Sequence, residues 1–152
     1  MDKNFMLRLL AVLLFSIAGV FIVDQNIKTL FVEGFRYYTD CIDFILVYNK
    51  GVAFSLFAFL GEYLKYMQLG MIIGVFAYVV YIKKICYALP AGLIIGGAVS
   101  NIYDRFIHGG VVDMVYWHCG FDFAVFNFAD VVIDIGVAWL LLLNLKTHLC
   151  KN

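Results

Sequence analysis

Four stretches of this chain, at about 5–23, 66–82, 85–100 and 123–145, are each apolar over a length that can cross a bilayer. A hydrocarbon core of about 30 Å takes roughly 20 residues of helix, or somewhat fewer with interfacial help. The expectation is a membrane α-helical fold in which a single domain over 1–152 crosses four times. Composition agrees: 64% of the 152 residues are hydrophobic and 14% charged, where a soluble domain has about 45–50% and about 25%. A disordered chain, a nucleic-acid binder and an ordinary soluble enzyme are excluded. Lys83-Lys84 leaves room only for a hairpin between the second and third spans, and the third carries the only proline, Pro90, with Gly92, Gly96 and Gly97.

Charge placement sets the orientation. Lys3, Arg8, Lys83, Lys84, Lys146 and Lys151 crowd the short segments on one side, with Asp2 as the only acid there. The opposite, longer segments, roughly 24–65 and 101–122, are richer in acids than in bases. Positive residues stay inside, so both termini are expected on the inner side. The first span ends in Val20-Phe21-Ile22-Val23 with no small-x-small pattern, and reads as an uncleaved anchor. Cys86 and Cys150 fall at inner span ends, where thiols stay reduced. Cys41 and Cys119 share the outer side, so a disulfide between them is open to the chain. Neither cysteine has ligand spacing to His108 or His118, which argues against zinc.

The outer segments differ in character. Residues 35–57 are β-branched and aromatic, broken by Asn49-Lys50-Gly51, and predict two or more strands folded on each other. Such a platform suits an extended chain laid against it. The other outer segment opens with Ser100-Asn101-Ile102-Tyr103-Asp104-Arg105 and delivers Asp113 after Gly109-Gly110-Val111-Val112.

Ionisable residues at the edge of a span are costly and call for a reason. Asp24 and Lys28 are spaced for an i,i+4 pair that would anchor a helix end, and Asp104-Arg105 has the same plain explanation. Asp113 and Asp130 suggest more. Asp130 lies at the outer edge of the fourth span, one turn after Asn127, and the Asp113 loop is short enough to return there. Two carboxyls held close share a proton, so one can activate water while the other donates to a carbonyl oxygen. Asp134, about 6 Å deeper on the same helix face, reads as a structural or tuning residue, buried neutral or paired with Lys28 or Arg105. Two further readings fit the same acids: a small transporter or channel subunit using Asp130 and Asp134 as an ion relay, and a membrane scaffold with carboxyls paired for stability.

Five motifs occur in order: Asp24-Gln25-x-x-Lys28, Asn49-x-Gly51-x-Ala53-Phe54, Gly97-Ala98-x-x-Asn101-x-x-Asp104-Arg105, Val111-Val112-Asp113 and Phe126-Asn127-x-Ala129-Asp130. Together they resemble the motif set of lipoprotein signal peptidases (signal peptidase II) over nearly the whole chain. The resemblance implies four transmembrane helices with a small extracytoplasmic β-cradle and a short outer helix. It implies an aspartic endopeptidase of the bacterial inner membrane that cuts diacylglyceryl-modified prolipoproteins before the lipidated cysteine. Asp113 and Asp130 would be the catalytic pair. Asn101, Arg105, Asn127, Asn49 and Gly51 would bind substrate, with Asp24, Lys28, Asp104 and Ala129 in support. No cofactor or metal is implied; the partners would be prolipoproteins and membrane lipids, with no nucleic acid, and the chain would act as a monomer. The chain departs from the pattern in Met114, where phenylalanine is common, in a short Trp117–Phe123 stretch, and in the added acid Asp134.

Overall fold

The computed structural model describes residues 3–51, 63–146 and Cys150. Four helices are long and apolar enough to cross a membrane: α1 Lys3–Val32, α2 Tyr63–Ile82, α3 Ala88–Ile107, entered through a 3-10 turn at Ile85–Tyr87, and α4 Phe128–Leu145. Strands β1 Ile42–Asn49 and β2 Val111–Trp117 form one antiparallel sheet. Lys83 takes a left-handed φ of 53° in the expected hairpin turn between α2 and α3.

Helix α3 is the interior element. Over half of its apolar window, 56%, is buried, against 22% or less in the other three helices. Its small residues explain why. A Cβ on Gly97 would lie 2.7 Å from the Ala129 carbonyl oxygen and 2.8 Å from Ile133 Cγ1 on α4. Gly136 of α4 faces the Pro90 carbonyl oxygen of α3 just as closely, at 2.8 Å. Without lipid-excluding hydrophobic force, helices in a bilayer associate through such close backbone contact. Gly97→Ala should therefore force α4 outward and cost about 1–3 kcal/mol. Thermal melts in detergent and a cleavage assay should both record a loss. Gly70→Ala, where a Cβ meets nothing within 4 Å, should leave both unchanged.

The core has two parts. Leu9 and Leu13 of α1, Val79 of α2, Ala88, Ala91 and Ile95 of α3 and Leu143 of α4 fill the inner half. A smaller cluster of Phe31, Val112 and Met114, backed by Ile27, Phe44 and Leu46, seats the sheet on the outer end of α1. Met114, the departure from phenylalanine, is thus a core residue, 2% exposed.

The helices do not share the bounds expected for the spans. α1 continues past Val23 to Val32 and carries Asp24, Gln25 and Lys28 on its outer turns. α3 runs past Ser100 to Ile107. α4 begins at Phe128 rather than 123. Within 35–57 the described residues pair at one antiparallel bridge, Tyr37 with Phe44, and the extended pairing runs between the two outer segments. β1 pairs with β2 from the second outer segment, from Ile42 opposite Trp117 to Asn49 opposite Val111. A one-residue bulge between Phe44 and Val47 shifts the register, so Asp113 stands across from Val47. The strand-like reading of 52–57, including Ala53 and Phe54, falls outside the described residues, and no short outer helix is found among those described. Cys41 and Cys119 are disulfide-bonded, with Cα atoms 4.4 Å apart, which staples the start of β1 to the loop after β2. Cys86 and Cys150, expected as separate thiols, are also paired, because the packing of α3 on α4 brings their inner ends together.

Candidate active site

The polar residues of the outer half are assembled around one ammonium group. Lys28 Nζ lies 2.7 Å from Asp24 Oδ2 and 2.7 Å from Asp104 Oδ2, and donates to Asn101 Oδ1 at 2.8 Å. Its three protons are all engaged. Asp24 and Asp104 are fully buried and Lys28 is 2% exposed. The Asp24–Lys28 pair is therefore not an interfacial anchor but the centre of a buried network.

The two acids use their remaining acceptor capacity, on both oxygens, to hold neighbouring elements. Asp24 accepts from Ser100 Oγ (2.7 Å) and, across from α1, from the Ala129 N–H in the first turn of α4 (2.8 Å). Asp104 accepts from Gln25 Nε2 (2.8 Å) and from the Val112 N–H of β2 (3.1 Å). A carboxylate at a helix N-terminus satisfies an orphan donor and meets the positive end of the dipole. Asp104 does not serve as a local partner of Arg105. The Arg105 guanidinium instead donates to the carbonyls of Lys50 (3.3 Å) and Gly51 and holds the turn after β1.

Asp113 and Asp130 are reached from this frame through asparagines. Asn127 is the N-cap of α4: its side chain accepts from the Asp130 N–H at 2.9 Å, and Asp130 Oδ2 accepts from the Asn127 N–H at 3.1 Å. This reciprocal capping box gives the Asp130 carboxyl a set direction. Asn127 Nδ2 also donates to Asp113 Oδ1 at 2.7 Å and to Asn101 Oδ1 at 3.1 Å, while Asn101 Nδ2 donates to Asp130 Oδ1 at 2.9 Å. Asn49 Nδ2 completes the ring by donating to Asp113 Oδ2 at 2.9 Å, with its own Oδ1 accepting the Gly51 N–H. Asp113 on β2 and Asp130 on α4 are thus joined by two asparagines and both line a cavity of about 380 Å³. Asn49, Asn101, Arg105 and Phe123 line it as well.

Burial pushes the Asp113 carboxyl up to about 6 from an ordinary 3.8, and the nearby Asp130 charge adds to this. Hydrogen bonds from Asn49 and Asn127 and the Lys28 charge oppose the rise without cancelling it. The folded chain binds this proton more tightly than the unfolded chain. Asp113 therefore favours folding below about pH 4 and loses that contribution as pH rises through about 6, a change on the order of 3 kcal/mol. Paired melts at pH 4 and pH 8 check this: Asp113→Asn should gain stability relative to the parent at the higher pH. Equal pH dependence in both proteins would contradict it.

The sequence-singled residues divide cleanly. Asn49, Gly51, Asn101, Arg105, Asp113, Asn127 and Asp130 come together at or directly behind the cavity, with Asp24, Lys28, Asp104 and Ala129 in the layer behind them. Asp134 departs from expectation: it is exposed, lines the cavity, and pairs neither with Lys28, whose three donors are committed elsewhere, nor with Arg105. Gln25 and Ser100 are structural members that sequence reasoning passed over, although both stand inside or beside its motifs. Gln68 on α2, another cavity residue, had one available signal: it is the lone amide in an apolar span. Among the described residues no cluster of three or more His, Cys, Asp or Glu is arranged to hold a metal ion.

Comparison with known proteins bears on what this site is. Residues 16–146 match the family model described as signal peptidase (SPase) II. The chain is 70% identical over 149 residues to a lipoprotein signal peptidase of Sulfurimonas denitrificans, covering 98% of this chain and 97% of that one. It is 59% identical over 140 residues to one from Sulfurovum sp., covering 90% and 94% of the two chains. One from Helicobacter pylori is 55% identical over 125 residues, covering 81% and 80%. A bacterial membrane enzyme solved in meso at 2.3 Å shares the fold with a TM-score of 0.79 at 21% identity, covering 90% of this chain and 88% of that one. A match across this much of the chain, with four spanning helices and a buried polar site at one end of the bundle, leaves a single conclusion: the chain is a multi-pass membrane protein and belongs to the signal peptidase II family of proteases.

Proposed function

We propose that this chain is an aspartic endopeptidase that removes signal peptides from diacylglyceryl-modified prolipoproteins, cutting immediately before the lipidated cysteine. The observation that carries the reading is the pair Asp113 and Asp130, joined through Asn127 and Asn101 and facing one cavity. Water is the nucleophile. Asp130, as carboxylate, takes a proton from it as its oxygen bonds to the scissile carbonyl carbon. Asp113, whose raised pKa suits it to hold the shared proton, donates to the carbonyl oxygen. In the collapse that follows, the C–N bond breaks and the leaving amine takes up the proton from Asp130, while Asp113 recovers its own from the gem-diol oxygen. The pair returns to its starting state with no covalent intermediate.

Asn101, Arg105, Asn127, Asn49 and Gly51 bind and position substrate at the cavity. Asp24, Lys28, Asp104 and Ala129 hold α1, α3, α4 and the sheet in the relation the pair needs. A substrate anchored by its acyl chains brings its scissile bond to the bilayer surface, which suits a carboxyl pair at the outer ends of the spans. We place the protein in the bacterial inner membrane as a monomer, termini cytoplasmic, site at the outer face. Membrane lipid surrounds it, and the positive inner segments support the orientation. An ion relay through Asp130 and Asp134 finds less support, since Asp134 has no hydrogen-bonded link to Asp130 or Arg105.

The test is cleavage of a diacylglyceryl-modified prolipoprotein by the purified protein in liposomes. Product should begin at the lipidated cysteine, and unmodified precursor should remain uncut. Turnover should fall on an alkaline limb with its midpoint at or above about pH 6, as the shared proton is lost, and EDTA should leave it unchanged. Equal cutting of the unlipidated precursor would refute the substrate assignment, and strong inhibition by EDTA would refute the mechanism.

A further inference from the structure

The cavity extends past the carboxyl pair toward the hydrocarbon, and two polar side chains there are not used by the chemistry above. Gln68 lies five residues into α2, about 8 Å below its outer end, and Asp134 six residues into α4, about 9 Å below. Both line the same cavity as Asp113 and Asp130, one from each flanking helix. The Gln68 Oε1 is buried and has no hydrogen-bond partner among the described residues. Asp134 is exposed and likewise makes no hydrogen bond there. An unsatisfied buried carbonyl and an intramembrane carboxyl are each unfavourable on their own. Their juxtaposition on one cavity calls for a ligand that supplies donors.

Resting on the proposed function, we infer that Gln68 and Asp134 are positioning residues that accept hydrogen bonds from backbone N–H groups of the signal-peptide segment just before the cut. The donor inventory selects this occupant. A diacylglyceryl group offers ester carbonyls and a thioether, which only accept. A peptide extended for proteolysis has left its helical hydrogen bonds, and its N–H groups must be satisfied inside the membrane. Gln68 Oε1 and the Asp134 carboxyl are acceptors at the depth where that segment leaves the hydrocarbon for the carboxyl pair.

The experiment uses the full chain in liposomes and a synthetic diacylglyceryl peptide spanning the cut. Gln68→Leu and Asp134→Leu should each raise KM about five- to tenfold with kcat within about twofold. Gln68→Glu and Asp134→Asn, which keep an acceptor, should recover most of the affinity. Methylating single backbone nitrogens before the cut should, at one position, weaken the parent enzyme by a similar factor and add nothing to Gln68→Leu. KM unchanged in both leucine variants overturns the inference while leaving the peptidase assignment standing. A variant effect that disappears when ether lipid replaces ester lipid assigns the pocket to the acyl ester and also overturns it. Failure of the parent enzyme to cut the peptide at all overturns both readings.

Discussion

Asp113→Asn and Asp130→Asn should each lower kcat/KM on a diacylglyceryl-modified prolipoprotein by about a thousandfold or more, with the protein still folded. The two variants fail for different reasons. Without the Asp130 carboxylate no group takes the proton of the attacking water. Without the Asp113 acid no proton reaches the carbonyl oxygen. Folding should survive because asparagine fills the same volume and keeps one acceptor for the donors that converge there, Asn127 and Asn49 at Asp113, Asn101 and the Asn127 N–H at Asp130. Single-turnover assays of each variant, with melting curves alongside, decide the matter. Near-normal turnover in either folded variant would remove that residue from the chemistry.

Lys28→Met should have the largest effect on stability, about 3–5 kcal/mol, because it leaves Asp24 and Asp104 buried without their cation. A fall in melting temperature of about 10 °C is expected. Activity should fall further than stability explains. Asp24 holds the first turn of α4 through the Ala129 N–H, and Asp104 holds β2 through the Val112 N–H. The two candidate catalytic carboxyls sit on those two elements, one residue beyond each contact. Combining Lys28→Met with Asp24→Asn and Asp104→Asn removes the uncompensated charge and should restore much of the melting temperature. If Lys28→Met melts like the parent, the buried network is not the keystone of the outer half.

The same residues show how far sequence reasoning reached. Asn127 and Asp130 were legible as one turn of a helix edge, yet their role as a capping box needed the backbone geometry at Asn127, extended at φ −130° and ψ 177°. The Asp24–Lys28 spacing correctly indicated an ion pair, but Asp104 looked like a partner for adjacent Arg105 and belongs to Lys28. Proximity in sequence is a weak guide when the helix turns the two side chains to different neighbours. The residues of β1 read as a strand from the sequence, but alternation reports that a strand exists and says nothing of what it pairs with, so β2 as its partner is not legible there.

The amino-acid order alone determined the number and sequence of the spans, the clustering of polar groups at one end, and the family motifs. A bilayer imposes length and apolarity on each crossing separately, so that constraint is written locally. What only the tertiary structure decided were the contacts between separate elements: β1 on β2, Asp24 on the start of α4, Asn49 on Asp113, and Gln68 with Asp134 across one cavity. Those contacts arise from how α3's small residues let α1 and α4 close around it, and packing of that kind leaves no periodic signal along the chain.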